Sequence, residues 1–536
     1  MRCFSSSIIN RIIYLLLGVF VLSMLWVNFH STLWYRMDCY SYAYEGRLMY
    51  ESVSCLPDNW IFGNQYHIVS PPNLAALFYG FTKDSVRAMA YASSLSIILV
   101  LGSFLWCLIP FVKRDSLWIG VLCISGGIIF GSSAAMYISG LQVLYTMCAY
   151  YACYLVGILL TIGVWIRLRV QQKIPWFFTV LVLLLNFALG MQSLREMLIL
   201  VIPLIVTECL LFFMPGKSPS DKKHKACLLL ISGVFIAELA GHFYLKSLDI
   251  PATPIIGELQ LDLNPSQLIA NFWASTKNIL RISGLAIAID GIKYIPLSIC
   301  ALLVALSIIY SLVMIIRRKD GSPLAIFIVF SAISVICVYG VGIFFMRTRD
   351  IYYFIYWLLA ALSIIYVFNQ DNLRYRPILL AVLLLICSIN YCYSFIPDFR
   401  DYRDNHKQLA SFTRSLTERG IKVIYTESMP IFAAASHDSI VSQSFWFDFN
   451  LTDGFPLTVF PSDKHTVIYD DLHYANSLIC LSDSNLEAIS EGPEAFRNAL
   501  LCNLEPFDQV EIRGTTFHFF KSKTRLICPV DRSYFK

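Results

Sequence analysis

The chain has 536 residues, of which 57% are hydrophobic and only 14% charged, with a formal net charge of +5. A mean hydropathy of +0.63 excludes an ordinary soluble enzyme and places the chain in a membrane. The basic residues form short loop clusters rather than a stripe, which excludes a nucleic-acid partner.

Runs of about 20 apolar residues can cross a hydrocarbon core of about 30 Å. About eleven occur, near 12–30, 88–111, 117–134, 142–166, 175–192, 197–214, 226–245, 294–316, 323–345, 351–368 and 377–395. The first, Ile12 to Phe29, has no small-residue cleavage site behind it and reads as an anchor. Every even-numbered exit is basic: Lys113 and Arg114; Arg167, Arg169 and Lys173; Lys217, Lys222, Lys223 and Lys225; Arg317, Arg318 and Lys319; Arg374 and Arg376. Basic loops stay inside, so the N-terminus is expected in the cytoplasm, and an odd span count leaves the C-terminal region outside.

The first outer loop, 31–87, opens with Tyr35-Arg36-Met37-Asp38-Cys39-Tyr40-Ser41-Tyr42-Ala43-Tyr44-Glu45. A helix over 36–53 puts Asp38 and Glu45 on one face, among boundary aromatics. Cys39 and Cys55 flank it, as a disulfide or as two free thiols. Ser70-Pro71-Pro72-Asn73 breaks the loop, and Asn73 is expected to cap a helix from Leu74 to Phe81.

Two short turns carry charge against the inside preference: Gln192-Ser193-Leu194-Arg195-Glu196 and Phe345-Met346-Arg347-Thr348-Arg349-Asp350. Charges at a membrane boundary are costly without partners or substrates. One reading pairs Arg195 with Glu196 and Arg349 with Asp350, or lets them snorkel. The other makes the guanidinium groups a phosphate site. Between the turns, Asn264-Pro265-Ser266 precedes an amphipathic helix with Leu268, Ile269, Phe272, Trp273, Ile279 and Leu280, an interfacial anchor or a lid. Glu208 and Glu238 lie within apolar runs and keep a polytopic transporter or lipid flippase as the alternative, although no internal repeat supports it.

Beyond Pro397 charges become common. Asp404 to Arg419 reads as a helix stopped by Gly420. Strands are expected over Ile421–Tyr425, Ser439–Ser444, His465–Tyr469 and Ser477–Leu481. Leu486 to Leu500 reads as a helix interrupted by Pro493, and Arg513-Gly514-Thr515 as the turn of a hairpin. Asp470-Asp471 reads as a solvated turn, and Asn450-Leu451-Thr452 fits a glycosylation acceptor. The 16 cysteines show no zinc spacing. Cys480, Cys502 and Cys528 allow one disulfide.

The layout is a multi-span core with an acidic residue soon after the first span, a long first outer loop and an outer C-terminal region. It resembles the GT-C superfamily of membrane glycosyltransferases, which use polyprenyl-phosphate-linked sugars. Asp38-Cys39-Tyr40-Ser41-Tyr42 followed by Ser70-Pro71-Pro72 is similar to the family's first loop, and Glu418 to Tyr425 through Ser439-Ile440-Val441 to the start of its outer region. The resemblance implies a polytopic α-helical membrane domain over 1–395 and an extracytoplasmic α/β domain over 396–536. It implies a bacterial inner membrane and a site facing outward. It also implies transfer of a hexosyl or pentosyl group to a glycan, glycolipid or protein acceptor within membrane lipid. Asp38 is then the catalytic base. Arg195, Arg347 and Arg349 stabilise the leaving phosphate, with Glu196 beside them, and Glu45 or His67 orients the acceptor or assists the base. The family's paired acidic motif is missing, since Cys39 follows Asp38. That departure argues against a divalent metal, leaves no cofactor expected, and keeps a non-catalytic relative as a rival.

Overall fold

A computed structural model describes residues 6–30, 39–57, 60–62, 66–130, 144–145, 151–170, 172, 174–213, 221–248, 250, 261, 263–286, 291–345, 349–370, 375–394, 405–428, 431, 440–443, 445–447, 449–451, 456–458, 466–467, 476–512 and 514–528. The helices are α1 (Ser6–His30), α2 (Cys39–Ser52), α3 (Pro71–Thr82), α4 (Ser85–Leu108), α5 (Arg114–Leu122), α6 (Ala152–Arg169), α7 (Trp176–Gln192), α8 (Ile202–Phe213), α9 (Asp221–Lys246), α10 (Pro265–Ile282), α11 (Ile295–Arg318), α12 (Pro323–Phe344), α13 (Ile355–Phe368) and α14 (Arg376–Ser394). Among the described residues eight helices are long and apolar enough to span a membrane, and Trp176–Gln192 and Met197–Phe212 are shorter apolar helices. Leu229, Ile236 and Ile299 point outward from these helices, as lipid-facing side chains do.

Helix starts follow local chemistry. Asp84 caps α4 by accepting from the amides of Val86 and Arg87. Asn264 and Ser322 cap α10 and α12, each followed by proline at the first helical position. The expected cap at Asn73 is corrected. Pro71 and Pro72, whose missing N–H costs nothing in a first turn, start α3 after Ser70. Asn73 instead donates to the carbonyls of His67 (3.3 Å) and Ile68 (2.8 Å).

The third expected span is broken. After α5 the chain makes a π turn, Cys123–Gly127, with Gly126 at φ +130°. Freed carbonyls inside a bundle need a partner. Asn390 on α14 supplies it, donating to the carbonyls of Gly126 (2.7 Å), Gly127 (3.3 Å) and Ile129 (3.2 Å).

Helix α10 is amphipathic with its faces reversed relative to a soluble protein. Asn271 and Ser275 are buried while Ile269, Phe272 and Trp273 are exposed. Asn271 donates to the carbonyl of Ile343, and Thr276 shares a hydrogen bond with Tyr339, so the polar face grips α12. The apolar face is left for lipid.

The C-terminal part begins with α15 (Asn405–Glu418), ended by Gly420 at φ +82°. Strands β2 (Val423–Thr426), β3 (Val441–Gln443), β7 (Ser477–Ser482), β8 (Leu504–Ile512) and β9 (Thr515–Ser522) form one sheet in the order β3-β2-β7-β9-β8. β3, β2 and β7 are parallel, and β9 runs antiparallel to β7 and β8. Short strands β4 (Trp446–Phe447), β5 (Leu457–Thr458) and β10 (Ile527–Cys528) form a second sheet. Pro493 divides the expected single helix into α16 (Asp483–Glu491) and α17 (Glu494–Leu501). Cys55, Cys480 and Cys502 carry free thiols. Asp470, Asp471 and Thr452 lie outside the described residues. One further contact joins the ends of the chain: β1 (Trp60–Ile61), in the first loop, pairs antiparallel with β6 (Thr466–Val467). Trp60 is fully buried there, packed with Tyr44, Leu48 and Phe62.

Candidate functional site

Helix α2 turns Tyr42, Glu45 and Met49 inward, at the three- and four-residue spacing of one face. The Glu45 carboxylate meets His67 Nδ1 at 2.9 Å from each oxygen, with side-chain exposures of 0% and 1%. Tyr42 stacks edge-on against the imidazole, 4.7 Å between centroids. Glu45 and His67, 22 residues apart, therefore form one buried hydrogen-bonded pair. Its chemistry is positional: the carboxylate fixes the ring and anchors the segment before α3 to α2.

Gln192, the last residue of α7, joins this loop to the first charged turn. Its amide Nε2 donates to the Tyr154 hydroxyl (2.9 Å), and its Oε1 accepts from the Val69 amide (3.3 Å). Its backbone carbonyl accepts from the Tyr66 amide (3.3 Å). Ser193 shares a hydrogen bond with the Tyr154 hydroxyl (2.9 Å) and accepts from the Arg195 amide (3.3 Å).

Arg195 lies among three rings, 5.2 Å from Tyr151, 5.3 Å from Tyr154 and 5.2 Å from Tyr352. Tyr151 and Tyr154 sit three apart at the start of α6, and Tyr352 comes from the 3₁₀ turn Asp350–Tyr353. Each such contact contributes about 0.5–2 kcal/mol and holds the guanidinium in place. Arg349 enters the same turn on extended backbone, and its charge acts on Tyr151 as that of Arg195 does. Burial pushes the Tyr151 phenol up, against both arginines.

The local pairs expected as the bland reading of these turns do not form among the described residues. Asp350 Oδ1 accepts from the Ile351 amide and its Oδ2 has no hydrogen-bond partner. Glu196 is fully buried, and neither of its oxygens accepts a hydrogen bond. Burial first, and then the nearby Glu238, hold its carboxyl well above the usual carboxylate range, against the pull of Arg195. Asp38 and Arg347 lie outside the described residues.

Beside this cluster lies a cavity of about 270 Å³ lined by Ile68, Val69, Leu74, Leu77, Cys153 and Val156, among others. Val69 and Cys153 both touch Gln192, so the apolar groove and the Arg195 turn share a wall. Among the described residues no group of three or more His, Cys, Asp or Glu side chains is close enough to hold a metal ion.

Sequence reasoning missed the tyrosine cage and the role of Gln192. Tyr151 and Tyr154 read as part of an apolar run, and only their spacing relative to a charged turn far along the chain marks them.

No family model matches the chain, and no curated protein matches its sequence. Solved structures do. The crystal structure of ArnT from Cupriavidus metallidurans bound to undecaprenyl phosphate superposes with a TM-score of 0.52 at 12% identity, covering 98% of this chain and 100% of that one. At that identity the likeness is one of fold alone: a polytopic helical membrane protein with a C-terminal sheet region.

Proposed function

We propose that the chain is a membrane glycosyltransferase that moves a sugar from a polyprenyl-phosphate-linked donor to an acceptor hydroxyl. The observation that carries this reading is the Arg195 guanidinium held in a tyrosine cage, with Arg349 beside it, against the wall of an apolar groove. An anionic headgroup joined to an isoprenoid tail needs those two surfaces side by side. The fold shared with ArnT, whose crystal structure contains undecaprenyl phosphate, supports the same ligand class here.

In this reading the acceptor oxygen attacks the anomeric carbon and the carbon–oxygen bond to phosphate breaks. Negative charge then gathers on the departing phosphate. Arg195 and Arg349, with Arg347 from the same turn, stabilise that charge where it develops. The tyrosine cage fixes the position of the Arg195 guanidinium, so little reorganisation is needed as the bond breaks. Asp38 accepts the acceptor's proton. Glu45 and His67 hold the described part of the first loop together. The alternating basic loops support an outward orientation of this face, toward the periplasm of a bacterial inner membrane. A hexosyl or pentosyl group, passed to a glycan, glycolipid or protein, completes the reaction.

The test is mass spectrometry of surface glycans and lipid-linked sugars in cells carrying the intact gene, no gene, Asp38→Asn or Arg195→Ala. Loss of one sugar from a glycan, with accumulation of its lipid-linked donor, is expected in all three altered strains. In membranes, Arg195→Ala is expected to lower transfer about 10²–10³-fold at normal protein level, as removal of one charge-stabilising group does. Unchanged glycans and donor pools in the deletion strain would end this reading.

A further inference from the structure

Behind Arg195 lie two carboxylates that the transfer chemistry does not use. Glu196 follows Arg195 directly, and Glu238 comes from α9. Both are fully buried, and none of their four carboxylate oxygens has a hydrogen-bond partner. Their meeting is built by close helix packing. A Cβ on Gly190 of α7 would lie 2.2 Å from the Glu238 carbonyl oxygen, and one on Gly241 of α9 would lie 2.1 Å from that of Phe187. Only glycine at both positions lets α9 come this near α7. A third glycine, Gly157 of α6, faces Glu196, and a Cβ there would sit 3.4 Å from Oε1. The two carboxyl groups act on each other electrostatically.

Two ionised carboxylates in such a place are not tenable. A buried carboxylate without a hydrogen-bond partner is far less stable than the buried acid, so at least one of the two stays protonated. Arg195 can offset one negative charge but not two. Among the described residues the charged and titratable groups around the Arg195 cluster are Cys153, Tyr151 and Tyr154 from α6, and Tyr352 and Arg349 from the 3₁₀ turn; Arg349 is a second cation, acting on Tyr151 as Arg195 does. Along α9 itself His242 follows one turn on and is charge-coupled to Lys246.

We propose that Glu196 and Glu238 form a proton-binding site behind Arg195, and that its proton lets the Arg195 turn accept an anionic headgroup. Charge counting gives the direction. With both carboxylates ionised, Arg195, Glu196 and Glu238 sum to one negative charge and repel a phosphate. With one proton bound they are neutral, and with two they carry the positive charge of Arg195. Proton binding and phosphate binding therefore favour each other, and by linkage each raises the affinity for the other. Headgroup affinity is full when the pair is protonated and falls as pH rises through its titration. The proton site rests on burial and missing partners alone; its effect on phosphate rests on the function proposed above.

Infrared difference spectroscopy of the full-length protein in nanodiscs tests the site directly. At neutral pH the wild type is expected to show the carbonyl stretch of a protonated carboxylic acid that is lost in the Glu196→Gln/Glu238→Gln double variant and reduced in Glu238→Gln. No difference between wild type and double variant would mean both groups are ionised, and the site would not exist. The second measurement is binding of farnesyl methyl phosphate, a phosphodiester whose own charge is constant over the range. Between about pH 5 and pH 9 its affinity for wild type is expected to fall roughly tenfold, and to be flat in the double variant. Equal slopes in the two proteins would overturn the coupling. If the infrared band and the slope appear while no lipid-linked sugar is turned over, the glycosyltransferase reading fails and the proton site stands.

Discussion

Two buried carboxylates sit at either end of one helical stretch, about 18 Å apart along its axis. Glu208, on α8, accepts from Arg169 Nη1 at 2.6 and 2.8 Å and from Trp165 Nε1 at 3.1 Å, and His224 Nδ1 lies 2.7 Å away. Glu196, just before the π turn Met197–Val201, has no such partner. Both are at most 1% exposed, so burial does not tell them apart. Partners do. Glu208 is a staple joining α6, α8 and α9, whereas Glu196 carries an unmet demand beside a caged arginine. The Glu45–His67 pair belongs with Glu208.

The two carboxylates should therefore fail differently. The largest effect is expected where a satisfied pair is broken. His67→Ala leaves the buried Glu45 without its His67 contact, and Glu208→Ala leaves the part-buried Arg169 and His224 without their acceptor; each should cost several kcal/mol, up to about 3–5, read as a fall in thermal midpoint of the purified protein. Glu196→Gln replaces a buried carboxyl already held toward its neutral form by a neutral group of the same shape, so its midpoint should stay within about 1 kcal/mol of wild type. If Glu196→Gln melts as early as Glu208→Ala, the contrast is wrong. A smaller effect sharpens it from the ligand side. Tyr352→Ala removes one wall of the Arg195 cage, worth about 1–2 kcal/mol, and should weaken polyprenyl phosphate binding up to about tenfold without changing the melting temperature. The smallest is expected far from both sites. Exposed Asp483 accepts from the Thr516 amide and meets His518 Nε2, and these contacts hold its carboxyl below the ordinary range. A depressed carboxylate stabilises above its unfolded pKa and loses that contribution as pH falls through the folded one. Asp483→Asn should thus lower stability slightly near neutrality and be indistinguishable from wild type well below about pH 4.

Much of this was legible in the sequence where a cause is local. Asn264-Pro265, Gly420, Pro493 and Gly514 each impose their turn or cap within a few residues, and the structure puts the breaks there. The Arg195 turn was legible because charge at the end of an apolar run is costly. Glu45 and His67 were both visible as candidates, though not as a pair. What stayed hidden depends on distant partners. The break at Gly126 lies inside a continuous apolar run, and the side chain that tolerates it, Asn390, is 264 positions away. Tyr352 reaches Arg195 only once the bundle is closed. Glu238 reads as an isolated mid-span acid until Gly190 and Gly241 bring α9 against α7.

The pairing of Trp60 and Ile61 with Val467 and Thr466 bears on how such a chain is made. Ribosomes deliver the first loop early, yet its strand has no neighbour until residue 467 has left the exit tunnel. Through most of synthesis the loop waits as an open edge, the kind of surface that invites wrong partners. Closure of this two-residue ladder is then among the last events of biogenesis, and a chain cut short before it would carry a complete membrane bundle with an unfastened doorway.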